Sequence, residues 1–507
     1  MSDSSYDAYV IGSGPNGLAA AISLAQKGLK VIVYEAKDSI GGGTRTKELT
    51  EPGFFHDVCS AVHPTAAASP FFNTLPLANY GLEWIHPDFP IAHPFDDEEP
   101  VIIEQSFNNT LQRLGKDGKN YNALFKELID SWPYLVNDVF GTLRMPNHPL
   151  TLARFGWYGM FSAKHLSNSI FKSERLKTYF AGLAAHSILP LENAFTSTFG
   201  LMLGITAHSV GWPIAKGGSK SITDALAAHF IALGGTIEVN RHIESLDDIP
   251  KDKPVLFDLT PRQVLEIAGK RIPDSIRSKL KKYTYGPGVF KMDFALSEQV
   301  PWTDPECRKA GTLHLGGSFA EIARSESDIW KGKHNDSPYV LISQPSLFDS
   351  TRAPKGKHTL WAYCHVPAGS TQDMTTEIEN QIERFAPGFR ETIISKAVMN
   401  TTDFEKYNPN YIGGDINGGA QFVKQLFGRP LLKWNPYKLG DDGIYICSSS
   451  TPPGGGVHGM AGFNAAQTVL KNEFNYLSNS ARWFSGSRKR RVSHLYIPLS
   501  CPSDHTI

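Results

Sequence analysis

Three glycines near the start of the chain, Gly12, Gly14 and Gly17, have the spacing of a phosphate-binding turn. Pro15 and Asn16 lie between the second and third glycine. In such a turn the first glycine permits a tight bend, the second lets the backbone approach a pyrophosphate, and the third lets a helix pack closely on a strand. The spacing therefore predicts that Gly12 to Gly17 hold a pyrophosphate at the positive end of a helix dipole.

A carboxylate, Glu35, follows the predicted second strand, residues 30–34. At this distance from the glycine turn, an acidic side chain accepts hydrogen bonds from the adenosine ribose of a bound dinucleotide. An acid here favours a free 2′-hydroxyl over a 2′-phosphate. Gly42 and Gly43 come next, followed by Arg45, which we expect to reach the same pyrophosphate.

The elements that must position these residues are also visible in the sequence. Residues 8–11 have the continuous apolar pattern of a buried parallel strand, residues 18–27 have helical periodicity, and residues 30–34 form a second apolar run. A glycine turn alone is weak evidence, because such turns are common. The turn placed between a strand and a helix, with an acid after the next strand, predicts a dinucleotide site.

The chain changes character several times along its length. Residues 1–80, 211–286 and 408–480 carry strand, glycine-turn and helix patterns, and we predict that they form one nucleotide-binding domain. Residues 81–210 are rich in helical patterns and residues 287–407 in strand patterns, and we predict that these two inserts form a substrate domain. Residues 481–507 have no amphipathic period and are predicted to be a tail.

Four segments add a family resemblance to this layout. They are "GFFHDVCSAVHP", "AHSVGWPIAKGGS", "NPNYIGGDINGGA" and "SSSTPPGGGVHGMAGFNAA". In order and spacing the chain resembles the FAD-dependent oxidoreductases related to phytoene desaturase, within the flavin amine-oxidase superfamily, over roughly residues 6–475. The resemblance implies FAD as the cofactor and an α/β fold. A Rossmann-like FAD-binding domain would be interleaved with an α+β substrate domain that carries a mixed sheet and helices.

FAD is longer than an ADP moiety, so it needs a second binding region near the flavin. The glycine-rich loop that contains Gly456, Val457 and Gly459 precedes a helix predicted to begin near Met460. Its amides and helix dipole would face the pyrimidine edge of the flavin, where negative charge develops on reduction. His458 lies in the same loop.

Two further cofactor contacts are implied by the resemblance. Ser449, with Ser448 before it, stands where the superfamily often has a Gly-Asp pair, and a serine hydroxyl can bond to ribityl or phosphate oxygens without carrying a charge. Ile243 corresponds to the residue whose backbone brackets the adenine. A plain core isoleucine is equally compatible with that position.

The candidates for catalysis are Lys291 and His458. Lys291 interrupts an apolar strand pattern, and its position resembles that of the lysine that holds a water near flavin N5 in flavin amine oxidases. The alternative is a lysine on the solvent face of a half-buried strand. Three other histidines, His63, His186 and His208, lie in segments that would line the flavin cavity or pack in the core.

Composition narrows the classes of partner. The 507 residues contain 50 lysines and arginines and 50 aspartates and glutamates, so no net charge attracts nucleic acid, and we expect a small-molecule partner. The five cysteines form no CxxC pair, which argues against a disulfide reductase and fits a reduced, intracellular and cytoplasmic setting. The histidines show no metal-binding spacing, so we expect no metal.

The sequence leaves membrane contact open. The aromatic stretch 155–171 is compatible with core packing, with an apolar substrate tunnel or with peripheral contact to a membrane surface. The basic cluster 488–491 in the tail is compatible with binding anionic lipid or a partner, or with simple solvation. No run of eighteen apolar residues is present that would span a bilayer.

The leading hypothesis is a dehydrogenase or desaturase that removes hydride from an apolar, carotenoid- or isoprenoid-like substrate. Dioxygen, a quinone or another acceptor would then reoxidise the flavin. The first alternative is a flavin amine oxidase. The second is a noncatalytic lipid or prenyl escort protein of the same fold, which would be expected to have eroded glycine motifs. The electron acceptor and the oligomeric state are not determined by the sequence.

Overall fold

The computed structural model of the chain describes residues 5–142 and 144–476. Strands and helices are numbered in chain order. The strands in these ranges are β1 (Ala8–Ile11), β2 (Val31–Tyr34), β3 (Thr46–Glu48), β4 (Phe55–Asp57), β5 (Trp84–Ile85), β6 (Phe89–His93), β7 (Val101–Ile103), β8 (Ile214–Ala215), β9 (Thr236–Glu238), β10 (Val255–Phe257), β11 (Gly288–Leu296), β12 (Ala310–Leu315), β13 (Val340–Ser343), β14 (His358–Val366), β15 (Ile393–Met399) and β16 (Ile444–Ile446).

The α-helices in the same ranges fall mainly into one group between β7 and β8 and others that cover the two main sheets. They are α1 (Pro15–Ala25), α2 (Pro64–Ala67), α3 (Phe107–Leu114), α4 (Gly118–Asp130), α5 (Trp132–Val139), α6 (Pro149–Gly159), α7 (Ala163–Ile170), α8 (Glu174–Ala185), α9 (Thr196–Ser209), α10 (Lys220–Ala232), α11 (Pro261–Ala268), α12 (Asp274–Leu280), α13 (Phe319–Asp328), α14 (Thr375–Phe385), α15 (Phe389–Thr392), α16 (Thr401–Tyr407), α17 (Val423–Gly428) and α18 (Met460–Glu473).

A five-stranded parallel sheet has the order β16-β10-β1-β2-β9. Strand β1 is buried along its whole length, as expected for a parallel strand covered by helices on both faces. Alternate residues enter different cores: Val10 packs with the core that contains α1, α10 and α18, whereas Tyr9 packs with residues of α11 such as Val264. We call this sheet and its covering helices the parallel-sheet region.

Helices α1 and α18 pack closely, and their first turns lie side by side. A Cβ added at Gly462 of α18 would lie 1.8 Å from the carbonyl oxygen of Asn16 in α1. Because two backbones cannot approach so closely with a side chain between them, Gly462 sets the distance between the helices. The start of the chain's first helix is thereby held beside the start of its last described helix.

A seven-stranded mixed sheet has the order β15-β11-β14-β13-β12-β6-β7, and we call it with its covering helices the mixed-sheet region. Its neighbouring strands are antiparallel except for β12 and β6. One face carries residues such as Ile342 and Leu360, which pack on Ile378 of α14. The opposite face carries Leu341 and Tyr363, which pack in the core shared with the helices between β7 and β8.

These two sheets confirm the predicted α/β class, with a Rossmann-like parallel sheet interleaved with a second, mixed-sheet region. The parallel sheet takes its strands from residues 8–34, 236–257 and 444–446, and the mixed sheet from 89–103 and 288–399. Both sets fall within the segments assigned from the sequence. The domain boundaries themselves stay a prediction.

No helix in residues 5–142 and 144–476 is both long enough and apolar enough to cross a bilayer. The intracellular location stays a prediction. The predicted tail 481–507, including the basic cluster 488–491, lies outside the described residues.

Candidate functional site

A cavity of about 1150 Å³ has walls from both regions. Most of the predicted cofactor-binding residues lie in its wall, although they come from three separate parts of the sequence. They are Gly12, Gly14, Pro15, Asn16, Glu35, Gly42, Gly43, Arg45, Ile243, Ser449, Gly456 and Val457. The predicted catalytic residue His458 lies in the same wall, whereas Gly17, Gly459, Met460 and Lys291 do not.

The glycine turn between β1 and α1 has the predicted geometry. Gly12 has a φ of +101°, and its amide donates to the carbonyl of Tyr34 at 2.8 Å. Gly17 lies behind the turn, where an added Cβ would come within 2.1 Å of the Gly12 carbonyl oxygen. The third glycine therefore serves the close packing of helix on strand, and the first two face the cavity.

Asp258 was not identified from the sequence, yet its carboxylate lies under this turn. It follows β10 directly, lines the cavity, and accepts a hydrogen bond from the Gly17 amide at 2.9 Å. Burial raises the pKa of Asp258 to about 8 against the opposing effect of the Gly17 amide, and the charge of Glu35 adds to the rise. A signal was available: the acid ends an apolar run, and the carboxyl ends of parallel strands meet where the glycine turn lies.

Glu35 is buried and its carboxylate is already held in place. It accepts hydrogen bonds from the Ser13 amide at 3.2 Å, the Ser13 hydroxyl at 2.5 Å and the Lys37 amide at 2.9 Å. Arg45 lies 3.3 Å from the same carboxylate. These contacts orient Glu35 at the cavity wall.

Arg45 binds protein groups on several sides. Its guanidinium donates to the carbonyls of Ser39 at 2.6 Å and Gly42 at 3.1 Å, in addition to Glu35. It therefore ties the loop after β2 to the acid at the end of β2. Its contact with a pyrophosphate stays a prediction.

The loop before α18 presents free backbone amides to the cavity. Among the described residues, no hydrogen bond engages the amides of Gly455, Gly456 or Val457. Arg429, which sequence reasoning missed, is fully buried, donates to the Ser449 carbonyl at 3.0 Å and lies against Gly454. A buried guanidinium thus holds the start of this loop, and no local sequence pattern indicates it.

His458 is a neutral imidazole in this loop. Burial lowers its pKa to about 4, against the opposing effect of the Gly454 and Gly455 carbonyls. Its Nδ1 accepts a hydrogen bond from the Met460 amide at 3.0 Å, so the proton resides on Nε2, which has no hydrogen-bond partner among the described residues. Gly459, at a φ of +65°, and Met460 form the start of α18 behind His458.

The remainder of the cavity wall is apolar and largely aromatic. Helices α6 and α9 with their flanking segments and two strands of the mixed sheet, β13 and β14, supply Phe155, Phe195, Phe199, Met202, Leu203, Trp212, Leu341, Trp361 and Tyr363. We call this part of the cavity the apolar chamber. It is continuous with the part lined by the glycine turn, because both belong to one cavity.

Lys291 is not on a solvent face, so the alternative of a surface lysine is wrong. The side chain is 1% exposed, and its ammonium forms an ion pair with Asp293. Its Nζ lies 5.9 Å from the ring centroid of Trp361, and Trp361, not Lys291, lines the cavity. The amino-acid sequence of β11 did not indicate that Lys291 is buried. The role of Lys291 near flavin N5 stays a prediction.

Lys291 belongs to a buried cluster of charges behind the chamber wall. Asp293 lies 3.6 Å from His56, and Asp57 accepts from Arg352 at 2.8 Å. Burial raises the pKa of Asp293 to about 6 although Lys291 opposes the rise. Burial, with Lys291 and Arg352, lowers the pKa of His56 to about 3, so that histidine is neutral.

The other histidines divide into two kinds. His63 bonds to the hydroxyls of Ser60 and Ser219, and His208 bonds to the hydroxyl of Tyr121 and to a backbone carbonyl; neither lines the cavity. They are satisfied core histidines. His186 does line the cavity.

The aromatic stretch 155–171 does not have one role. Phe155 lines the cavity, Phe171 is buried in the core, and Trp157 is 62% exposed. Neighbouring residues on one helix thus face the chamber and the outside.

The described cysteines, Cys59, Cys307, Cys364 and Cys447, are all unpaired, and Cys59 alone among them lines the cavity. Within the described ranges no group of three or more His, Cys, Asp or Glu side chains is placed to hold a metal ion. The absence of a metal stays a prediction.

The residues present fit a dinucleotide. The wall offers a glycine turn at the start of α1, an oriented carboxylate at the end of β2 and, at a separate point, three unpaired amides in the loop before α18. Groups of this kind bind phosphates, ribose hydroxyls and an electron-rich ring edge. Their place in a single cavity suits a cofactor that extends between them.

The comparisons with known proteins agree with this geometry. The family model for flavin-containing amine oxidoreductases matches residues 16–470. Pyridine nucleotide-disulfide oxidoreductase domain-containing protein 2 of Rattus norvegicus is 23% identical over 92% of this chain and 94% of its own length. A 4,4'-diapophytoene desaturase (4,4'-diaponeurosporene-forming) of Staphylococcus haemolyticus is 24% identical over 88% of this chain and 95% of its own.

Solved structures show the same fold at lower identity. An oxidoreductase from Methanosarcina mazei superposes with a TM-score of 0.62 at 16% identity, covering 92% of this chain and 99% of that one. Wild-type putrescine oxidase bound to putrescine superposes with a TM-score of 0.59 at 16% identity, covering 93% and 99%. Because the family model spans most of the sequence, this chain belongs to the flavin-containing amine oxidoreductase family.

Proposed function

We propose that this protein is an FAD-dependent oxidoreductase that takes hydride from an apolar substrate. The observation that carries the proposal is the single cavity, which joins the glycine turn and the free amides before α18 to the apolar chamber. A long apolar molecule in the chamber would lie in the same space as the flavin end of the cofactor. FAD, when bound, supplies a two-electron acceptor for hydride.

The residues of the parallel-sheet region would hold the cofactor. Glu35 would accept hydrogen bonds from the ribose hydroxyls, and the start of α1 would hold the pyrophosphate. The free amides of Gly455, Gly456 and Val457 and the dipole of α18 would hold the pyrimidine edge and stabilise negative charge there. The Nε2–H of His458 is a further neutral donor in the same wall.

The apolar chamber would bind and dehydrate the substrate. Its aromatic and aliphatic side chains exclude water, which is what hydride abstraction from carbon requires of the protein. The name of the staphylococcal relative, a desaturase, supports a carotenoid- or isoprenoid-like chain as substrate. We propose dioxygen, a quinone or another small acceptor for reoxidation.

An amine oxidase is the second candidate, and one observation favours it. The rings of Trp361 and Tyr363 are in edge-to-face contact in the cavity wall, 5.0 Å apart at 88°, and an aromatic face in that wall would attract a cationic amine. Putrescine oxidase, one of the structural neighbours, is bound to an amine in its solved structure. An escort protein is less consistent with the intact glycine turn and free amides.

The experiment that tests the proposal begins with the visible spectrum of the purified protein. We expect a yellow protein whose chromophore, released by heat, chromatographs as FAD. Anaerobic mixing with a polyene or isoprenoid compound should then bleach the flavin, whereas putrescine and longer amines should not. A colourless protein, or one that holds FMN or NAD, contradicts the cofactor assignment, and bleaching by amines alone selects the second candidate.

Peripheral contact with a membrane is part of this proposal, because an apolar substrate resides in lipid. Leu150 and Trp157 on α6 are largely exposed, and α6 also lines the cavity through Phe155. Leu432 and Trp434, each 82% exposed, follow α17, which lines the cavity as well. We expect the protein to sediment with phosphatidylcholine vesicles and the double variant Trp157→Ser, Trp434→Ser to remain in the supernatant, with the wild type's unfolding curve as a check on folding.

A further inference from the structure

A row of unpaired polar atoms crosses the mixed sheet on the face that carries the chamber wall. Asp293, Trp361, Ser343 and Thr312 lie directly opposite one another on the adjacent strands β11, β14, β13 and β12. Each of the four side chains is buried, and each has one atom without a hydrogen-bond partner: Asp293 Oδ1, Trp361 Nε1, Ser343 Oγ and Thr312 Oγ1. We call these four residues the polar row.

Four neighbouring unpaired groups are unusual in the interior of a protein. Buried donors and acceptors are nearly always paired with protein, water or ligand, because an unpaired group loses its hydration without compensation. Two members of the polar row, Thr312 and Trp361, also line the cavity, so a bound molecule can reach them. Their backbones are two strands apart, about 10 Å, which leaves space for a small polar group between their side chains.

The charges around the polar row cancel. Behind Trp361, Lys291 and Arg352 are balanced by Asp293 and Asp57, while His56 is neutral. A group bound at the row therefore meets no uncompensated charge on this side.

On the far side of Thr312, the titratable groups nearest the cavity wall are two neutral histidines. His186 in the cavity wall shares a hydrogen bond of 3.2 Å with His314, and burial lowers the pKa of both, so both imidazoles are neutral. Beyond them, Nδ1 of His365 lies 2.9 Å from Glu326, and burial raises the pKa of that carboxyl, which favours its neutral form, although His365 opposes the rise. A site of this kind discriminates against ammonium and carboxylate groups, which would enter a dry wall without a counter-charge.

We propose that the polar row is a binding subsite for a neutral oxygen function of the substrate, a hydroxyl or a carbonyl on an otherwise apolar chain. Trp361 Nε1–H donates to that oxygen, and the Thr312 hydroxyl donates to it or accepts from it. This inference rests on the proposed function, because it assigns the apolar chamber to the substrate. It narrows the substrate class from apolar chains in general to apolar chains that carry an alcohol, aldehyde or ketone group.

The test uses ligands that share one tail and differ in the head group: decane, 1-decanol, decanoate and decylamine. Binding to the purified wild-type protein is measured by calorimetry, which does not depend on catalysis. We expect 1-decanol to bind about tenfold more tightly than the other three, since one neutral hydrogen bond corresponds to roughly that factor. The visible spectrum of the same samples reports the cofactor separately, so a failure of the FAD assignment is distinguished from a failure of the subsite.

Two variants remove single atoms of the subsite while keeping its shape. Thr312→Val replaces the hydroxyl by a methyl group, and Trp361→Phe removes the indole N–H but keeps an aromatic face. Each should weaken 1-decanol binding about tenfold and leave decane binding unchanged. Thr359→Val is the matched control, because Thr359 is buried on the same strand as Trp361 and its Oγ1 is also unpaired, but it does not line the cavity. It should change neither affinity.

Three outcomes overturn the proposal. Equal affinities of the wild type for decane and 1-decanol would remove the neutral head-group site, and tightest binding of decylamine or decanoate would mean a charged one. Unchanged 1-decanol binding by Thr312→Val would mean that the row holds buried water only. The Thr312→Val result decides the matter even where Trp361→Phe does not fold, and thermal unfolding of each variant establishes which of them are folded.

Discussion

The parallel-sheet region contributes backbone to the cavity wall, whereas the mixed-sheet region contributes side chains. On the first side, the wall is built largely from the glycine turn, the start of α1 and the free amides of the loop before α18. On the second side, residues from different strands meet through register, as Asp293 meets Trp361 and Lys291 meets Tyr363. The difference indicates which substitutions should damage each side. The parallel-sheet side should be sensitive to atoms added next to its backbone, and we call it the backbone wall. The mixed-sheet side should be sensitive to the loss of a side-chain partner, and we call it the side-chain wall.

The largest effect is expected on the side-chain wall, from Lys291→Met. Methionine keeps much of the side-chain volume but leaves Asp293 buried without its ion-pair partner, which is destabilising by about 3 kcal/mol. Urea denaturation measures this loss. The double variant Lys291→Met, Asp293→Asn should recover most of the stability, because no unpaired charge remains. A single variant as stable as the wild type would contradict the buried pair.

The same double variant tests the predicted chemical role of Lys291 without the stability defect. If the ammonium holds a water at flavin N5, the reoxidation half-reaction should slow by about a hundredfold, which corresponds to one lost preorganised polar group. Asp293→Asn alone is the control for the second substitution. Stopped-flow rates that match those of this control in both half-reactions would limit Lys291 to a structural role, and slowed reduction alone would indicate that it positions substrate.

The backbone wall is tested by Gly462→Ala. The added Cβ would lie 1.8 Å from the Asn16 carbonyl oxygen, so α1 and α18 must separate. We expect destabilisation at the upper end of the 1–3 kcal/mol typical of overpacking, with loss of FAD retention because both helix starts move. Gly428→Ala is the matched control: Gly428 is the last residue of α17, it does not line the cavity, and its added Cβ would meet Leu432 at an ordinary contact distance of 3.5 Å, so stability and FAD retention should stay close to those of the wild type. Normal FAD retention by Gly462→Ala would mean that the distance between α1 and α18 does not control cofactor binding.

The contrast between the walls also explains what sequence alone predicted. Gly12, Glu35 and the loop around Val457 could be placed because each constraint is local: a turn needs glycine, a strand end needs its acid, a helix start offers amides. The polar row and the burial of Lys291 depend on which strands are neighbours and in what register. Because these residues are far apart in the chain, no local sequence pattern indicates that their side chains are in contact, and these contacts could not be predicted.

Asp258 lies between these two cases. It sits on the backbone wall and follows an apolar strand directly, so its position at the carboxyl edge of the sheet was predictable in principle. Arg429 was not, because it reaches the loop before α18 from a segment without regular periodicity. Predictable residues are thus those whose role follows from the element that they begin or end.

Glu35 lies on the backbone wall, but it acts through side-chain contacts. Its variants therefore test both kinds of constraint at one position. Glu35→Ala removes the acceptor of Ser13 and of the Lys37 amide, and it would also remove the predicted bond to the ribose, whereas Glu35→Gln keeps an acceptor oxygen. We expect Ala to weaken FAD binding by about 1–3 kcal/mol and Gln by less. Fluorimetric titration of the apoprotein with FAD measures both affinities. Equal affinities for the two variants would place Glu35 outside the site.

The smallest expected effect, when it is expressed per unit of pH, concerns the proton on Asp258. Its pKa is raised to about 8 in the folded protein, so between roughly pH 4, the ordinary pKa of an aspartate, and pH 8 the folded state binds a proton that the unfolded state has lost. Stability must therefore fall as the pH rises through this window, by no more than about 1.4 kcal/mol per unit. Asp258→Asn keeps an acceptor for the Gly17 amide and cannot titrate, so its stability should fall less with pH.

The comparison of these two proteins isolates the proton on Asp258, since every other titrating group is common to both. Urea denaturation of the apoproteins at pH 6, 7 and 8 avoids the window below pH 6 in which Asp293, with a pKa of about 6, also contributes in the same direction. The histidines with lowered pKa values act in the opposite direction, because their unfolded forms bind protons below about pH 6.5, and they too cancel in the difference. Parallel pH profiles for the wild type and Asp258→Asn would mean that the carboxyl under the glycine turn is ionised throughout, and the start of α1 would then face a cofactor pyrophosphate with a negative charge already beside it.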